Sequence, residues 1–145
     1  MQDILTCAMG LDVHRDIIVA CLVKGAVDAE PEAERRTFST LIPEMQKLRD
    51  WVIESECRNI AMESTGIYWQ PIYEMLESCF DGEISILVVN ARHMKNVPGR
   101  KTDMKDAQWI ATLLRAGLLK GSFIPDKAFR ELRHLTRYRK SVVHD

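Results

Sequence analysis

The order of apolar segments predicts an α/β fold: a three-stranded antiparallel meander extended by parallel strands, with helices flanking a mixed sheet. Three observations predict it. Two short β-branched runs near the N-terminus are separated by only two polar residues, His14 and Arg15. From about residue 41 onward, segments of helical period alternate with short continuous apolar runs. Finally, 145 residues, 46% hydrophobic and 28% charged, suffice for one real core but not for two full domains.

The elements follow in order. Residues 6–13 and 16–23 read as two strands joined by a tight hairpin. A third strand is expected at about Arg35–Ser39, after an acidic loop, Asp28 to Glu34, that contains Pro31. Thr40 or Ser39 can cap a helix over about 41–56, where Leu41, Met45, Leu48 and Val52 recur at helical spacing and Glu44, Lys47, Asp50 and Glu54 fall on the other face. Asn59 to Met62 is a buried strand, Ser64 or Thr65 with Gly66 opens a helix to about Phe80, and Ile84 to Val89 is a further buried strand. Of the folds with this order, the ribonuclease H-like fold is the best known. A polar loop, Asn96 to Lys101, leads into a helix from about Asp103 to Arg115 and a turn at Gly117 to Ser122. Pro125-Asp126 then opens a basic C-terminal helical extension, with Phe129, Leu132 and Leu135 on one stripe and Arg130, Arg133, Arg137 and Lys140 on another. The expected division is an α/β unit over residues 1–120 and, over 121–145, the start of a basic helical segment leading elsewhere. The chain stops inside that helical pattern, as a fragment of a longer protein would.

Composition excludes several classes. The longest apolar run, Ile17 to Val23, is far short of the roughly 20 residues that cross a bilayer, and no basic-then-apolar leader opens the chain, so a cytoplasmic protein is expected. The four cysteines, Cys7, Cys21, Cys57 and Cys79, form no CxxC pair and read as reduced, mostly buried thiols. Trp51, Trp69 and Trp109 read as core or interface residues, not as platforms for stacked bases. The net charge of −1 conceals an asymmetry: residues 1–90 carry 7 basic against 16 acidic side chains, residues 91–145 carry 13 against 5. Such a split points to a polyanionic partner, or else to solvated faces that neutralise one another in the fold.

Four carboxylates stand apart from those on loops and helix faces. Asp12 interrupts the end of an apolar strand, and Glu63 directly follows the buried run Asn59 to Met62. If these strands are parallel neighbours, the two acids lie side by side at the strand ends, where ligand sites of open α/β sheets collect. Asp103 and Asp106 share a helix face at i and i+3 and can pack across the same edge. Each has an ordinary structural use: Asp12 in a turn, Glu63 at a helix entry, Asp103 as an N-cap. Together they repel one another unless a cation occupies the cluster, and hard Mg²⁺ prefers such oxygen donors. Two such ions can stabilise the attacking and leaving oxygens of an in-line phosphoryl displacement. His14, close to Asp12, reads first as a hairpin residue.

Gly10-Leu11-Asp12-Val13-His14, Met62-Glu63-Ser64-Thr65-Gly66-Ile67-Tyr68 and Gly99-Arg100-Lys101-Thr102-Asp103-Met104-Lys105-Asp106-Ala107 occur in that order. With Asn90, Arg92, Ile110-Ala111, Leu113-Leu114 and Gly117-Leu118, they resemble the DEDD transposases of bacterial insertion sequences, the family whose founding element is numbered one hundred and ten. The likeness runs through nearly the whole chain. It implies a RuvC-like, ribonuclease H-type catalytic domain in which Asp12, Glu63, Asp103 and Asp106 bind Mg²⁺, with Mn²⁺ as a substitute, for phosphodiester cleavage and strand transfer on DNA. It also implies a C-terminal domain bearing a serine nucleophile, a bridge RNA that guides several members, and association of copies into dimers and tetramers.

The basic half then has a place. Arg100, Lys101 and Lys105 flank Asp103 and Asp106 and are expected to contact phosphates, as are Arg130, Arg133, Arg137 and Lys140 on the last helix. The competing readings are a structure-specific nuclease of the Holliday-junction type and a non-catalytic nucleic-acid-binding or assembly module. A sugar-kinase or actin-like ATPase is disfavoured, because Val13-His14-Arg15 stands where those proteins need Gly and Ser/Thr to cradle phosphates.

Overall fold

The computed structural model describes residues 5–26, 30–64, 66–89 and 106–119. Five strands form one sheet: β1 (Cys7–Val13), β2 (Ile17–Lys24), β3 (Glu32–Ser39), β4 (Asn59–Ser64) and β5 (Ser85–Val89), in the order β3-β2-β1-β4-β5. The first three are the antiparallel meander, and β4 and β5 extend it in parallel from β1. Parallel pairing of β1 with β4 needs a crossover, and α1 (Ile42–Glu54) supplies it. After β4 come α2 (Trp69–Leu76) and a single 3₁₀ turn at Cys79–Gly82. The last described helix is α3 (Asp106–Arg115).

The period-2 alternation of the strands separates two cores. Met9, Leu11, Ile18, Ala20, Ile60 and Met62 face α1 and α2, where Leu48, Trp51, Val52, Ile72 and Leu76 meet them. Ala8 and Ala61 lie on the other face with Val89, under Trp109, Ile110, Leu113 and Leu114 of α3; Cys21 and Val23 meet Ala107 and Ala111 beside them. The face under α3 is built from small residues, and this lets a helix backbone come close. At Gly10 the approach is closest: a Cβ there would stand 2.1 Å from the Ala107 carbonyl oxygen and 2.6 Å from the Ala111 nitrogen.

Local boundaries depart from expectation in three places. β3 begins at Glu32, inside the stretch read as acidic loop, because its backbone pairs with β2 as far as Lys24 while the side chains from Glu32 to Thr37 stay exposed. Neither Thr40 nor Ser39 is the N-cap of α1: that residue is Leu41, with Pro43 in the first turn and no side-chain cap. The Thr40 hydroxyl instead donates to the Arg15 carbonyl at 3.0 Å, tying the β1–β2 hairpin to the helix start. The helix expected to run from Ser64 or Thr65 to Phe80 is reduced to Trp69–Leu76, since β4 pairing continues through Ser64 and positive φ at Phe80 and Asp81 breaks the far end. The helix expected from Asp103 is described from Asp106; the basic extension 121–145 lies outside the described residues.

Among the described residues, Arg115 is the buried charged one, 1% exposed at the end of α3. Its Nε donates to the Leu5 carbonyl at 2.9 Å and its Nη2 to the carbonyls of Gly25 and Ala26 at 3.2 and 3.1 Å, while Leu5 N donates back to the Arg115 carbonyl at 3.1 Å. One side chain thus joins the entry to β1, the exit of β2 and the end of α3. Arg115→Met keeps the stem but strips three carbonyls of a donor. We expect it to lower unfolding stability by about 3 kcal/mol, read from the midpoint of urea denaturation.

Candidate active site at the strand ends

Asp12 and Glu63 are direct Cα partners across the parallel β1–β4 pair. Adjacent strands stand roughly 4.8 Å apart, and paired positions of parallel strands present their side chains to the same face. Here it is the α3 face, since Asp12 alternates with Gly10 and Ala8, and Glu63 with Ala61. Two carboxylates thus sit side by side at the C-terminal ends of two central strands, the position where open α/β sheets place their ligands. Each is half-buried, so neither is a fully solvated surface charge.

His14 pairs with Asp12: its Nε2 lies 3.1 Å from Asp12 Oδ2, with the imidazole 52% and the carboxylate 18% exposed. The His14 backbone also closes the hairpin, N–H donating to the Ile17 carbonyl at 2.8 Å. It is therefore both the hairpin residue the sequence indicates and a restraint on the Asp12 carboxylate.

Asp106, the first described residue of α3, stands one residue before Ala107, whose carbonyl oxygen covers Gly10, itself two residues before Asp12 on the same face. The close approach at Gly10 therefore sets the head of α3 over the strand that carries Asp12. Asp106 is exposed there, in the first helical turn. Asp103, Arg100, Lys101 and Lys105 lie outside the described residues, as do Arg130, Arg133, Arg137 and Lys140. Among the described residues, no three metal-ligating side chains gather around one point. The pair Asp12 and Glu63 nevertheless fits Mg²⁺ by donor chemistry, since this ion commonly takes one or two carboxylates and fills its other positions with water and substrate phosphate.

A cavity of about 400 Å³ opens between the hairpin and the starts of α1 and α2, lined by Arg15, Thr40, Met45, Tyr68 and Gln70 among others. Sequence reasoning did not find it, because its walls come from three separate elements. Its one local signal is Ile67 and Tyr68, apolar residues left 70% and 39% exposed beside a strand end. Among the described residues, no helix is long and apolar enough to cross a membrane.

The comparisons with known proteins agree with this architecture. Thermus thermophilus RuvC is similar in fold at 12% identity and a TM-score of 0.54, covering 80% of this chain and 99% of that one. The structure of T. thermophilus RuvC in complex with a Holliday junction substrate matches at 12% identity and a TM-score of 0.51, covering 81% and 100%. A search of curated proteins gave no match. The α/β sheet is thus RuvC-like, of the ribonuclease H-like class. A family model described as a transposase, the DEDD family of IS110, matches residues 9–145, and on that match the chain belongs to the IS110-type DEDD transposase family.

Proposed function

We propose that this chain is the metal-dependent catalytic domain of a DNA transposase, and that phosphodiester bonds are cut and joined at the edge carrying Asp12 and Glu63. The observation that carries the reading is their register, which sets two half-buried carboxylates side by side at the ends of adjacent parallel strands. Asp12 and Glu63 would hold Mg²⁺, or Mn²⁺ in its place, with Asp106 and Asp103 completing the set. When bound, the ion supplies charge neutralisation of the scissile phosphate and polarises its oxygens. His14 restrains rotation of the Asp12 carboxylate through one oxygen, and the contact of α3 with Gly10 holds Asp106 at that edge.

Family membership supports DNA as the substrate, and so does the complex of T. thermophilus RuvC, on the same fold, with a Holliday junction substrate. In this proposal Arg100, Lys101, Lys105, Arg130, Arg133, Arg137 and Lys140 contact backbone phosphates and give affinity without base readout. The further partners are a guide RNA, a C-terminal domain with a serine nucleophile, and other copies of the chain. The setting is the bacterial cytoplasm, at the nucleoid when DNA is bound.

Anomalous diffraction from crystals soaked in Mn²⁺ tests the reading. The expected result is a peak at about 2.1 Å from oxygens of Asp12 and Glu63. No peak with or without DNA, and carboxylates that stay more than about 8 Å apart in both, would make the chain a binding module instead.

A further inference from the structure

Two thiols far from the carboxylates remain unexplained by catalysis. Cys7 begins β1, and Cys57 stands two residues before β4. The register Met9↔Ile60 continues back to place Cys7 beside Arg58, next to Cys57. Cys57 is 0% exposed, while Cys7 is partly exposed and packs against the core cluster that contains Cys57. Cys57 Sγ donates to the Asn59 carbonyl at 3.3 Å, and the Cys7 thiol lies near enough for each thiol to shift the other's protonation. Lys24 is the direct cross-strand partner of Cys7, and Arg115 adds positive charge from α3.

We propose that Cys7 and Cys57 form an oxidant-sensitive pair, a modification site at which a small disulfide such as oxidised glutathione closes a bond between the starts of β1 and β4. Cys7 thiolate attacks one sulfur of oxidised glutathione and forms a mixed disulfide, releasing one glutathione thiolate. Cys57 then loses its proton to solvent and attacks the Cys7 sulfur, releasing the second glutathione. The protein thiols are oxidised by two electrons and the glutathione disulfide is reduced by two.

The division of labour follows from the surroundings. The neighbouring Cys57 thiol, aided by Lys24 and Arg115 and opposed by burial, brings Cys7 down to about 7, which favours it over Cys57 as the attacking thiolate. The proximity of Cys7, with burial, pushes Cys57 up. Once Cys7 is capped its negative charge is gone, and the main obstacle to ionising Cys57 goes with it. Cys21 and Cys79 are pushed up by burial and are not drawn in.

The test uses the full chain, reduced and then treated with oxidised glutathione. The four thiols are expected to fall to two, with peptide mapping showing Cys7 joined to Cys57. Cys57→Ser should stop at the glutathione-capped Cys7, and Cys7→Ser should leave Cys57 reduced. Brief iodoacetamide treatment at pH 7 should label Cys7 about tenfold faster than Cys21 or Cys79. Four surviving thiols, or a bond between other cysteines, in the unsubstituted chain would overturn the proposal even where Cys57→Ser fails to fold. The outcome is independent of the catalytic reading, since the pair sits at the opposite end of the strands from Asp12 and Glu63.

Discussion

Asp12→Asn and Glu63→Gln are each expected to lower DNA cleavage and joining by at least about a thousandfold while leaving the thermal transition in place. Both exchanges keep side-chain shape, and neither residue is part of the apolar clusters that hold the sheet together. What they remove is one negative charge from a pair that neighbours across β1 and β4. An amide is a poor substitute for a carboxylate as donor to a hard cation, and the transition-state stabilisation at stake is several kcal/mol. At about 1.4 kcal/mol per tenfold, a loss of about 4 kcal/mol gives that factor. Strand transfer by the purified transposase, with its melting curve measured alongside, decides the matter. Retained transfer in either variant would remove that residue from the site.

Gly10→Val is expected to lower stability by more than about 3 kcal/mol and to lower activity with it. Its first side-chain carbon would fall 2.1 Å from the Ala107 carbonyl oxygen and 2.6 Å from the Ala111 nitrogen. Both are backbone atoms of a helix, so no rotamer change relieves the overlap and α3 as a whole must move off the sheet. Ordinary overpacking costs about 1–3 kcal/mol, and this position exceeds the ordinary case because close-packed layers have no room to absorb the shift. The helix that lifts is the one that carries Asp106. Urea midpoints for Gly10→Ala and Gly10→Val, with the second displaced further, would establish the packing role. A Val variant within about 0.5 kcal/mol of the parent would refute it.

Much of the architecture is legible without coordinates. The His14-Arg15 break between two β-branched runs specifies a hairpin, and the helical spacing of Met45, Leu48 and Val52 specifies α1, because both depend on local period alone. Asp12 and Glu63 are conspicuous for a similar reason, since each is a charge set at the end of an apolar strand, where nothing in core packing calls for one. Less legible are the local edges. The start of β3 at Glu32 escapes because the exposed stretch Glu32 to Thr37 has no apolar alternation to mark it, and its pairing energy comes from the β2 backbone.

What the sequence by itself determined is therefore the kind and order of the elements and the acids at their ends, features written in spacings of a few residues. Only the tertiary structure decided that β4 pairs with β1, so that Asp12 and Glu63 share a register, and that α3 lies close enough to Gly10 to touch it with its backbone. It alone turned Arg115 inward onto three carbonyls and placed Cys7 against Cys57. The reason is physical. These pairings join residues roughly 50 to 110 positions apart, their selection rests on burying both faces of one sheet at once, and no local period carries that information.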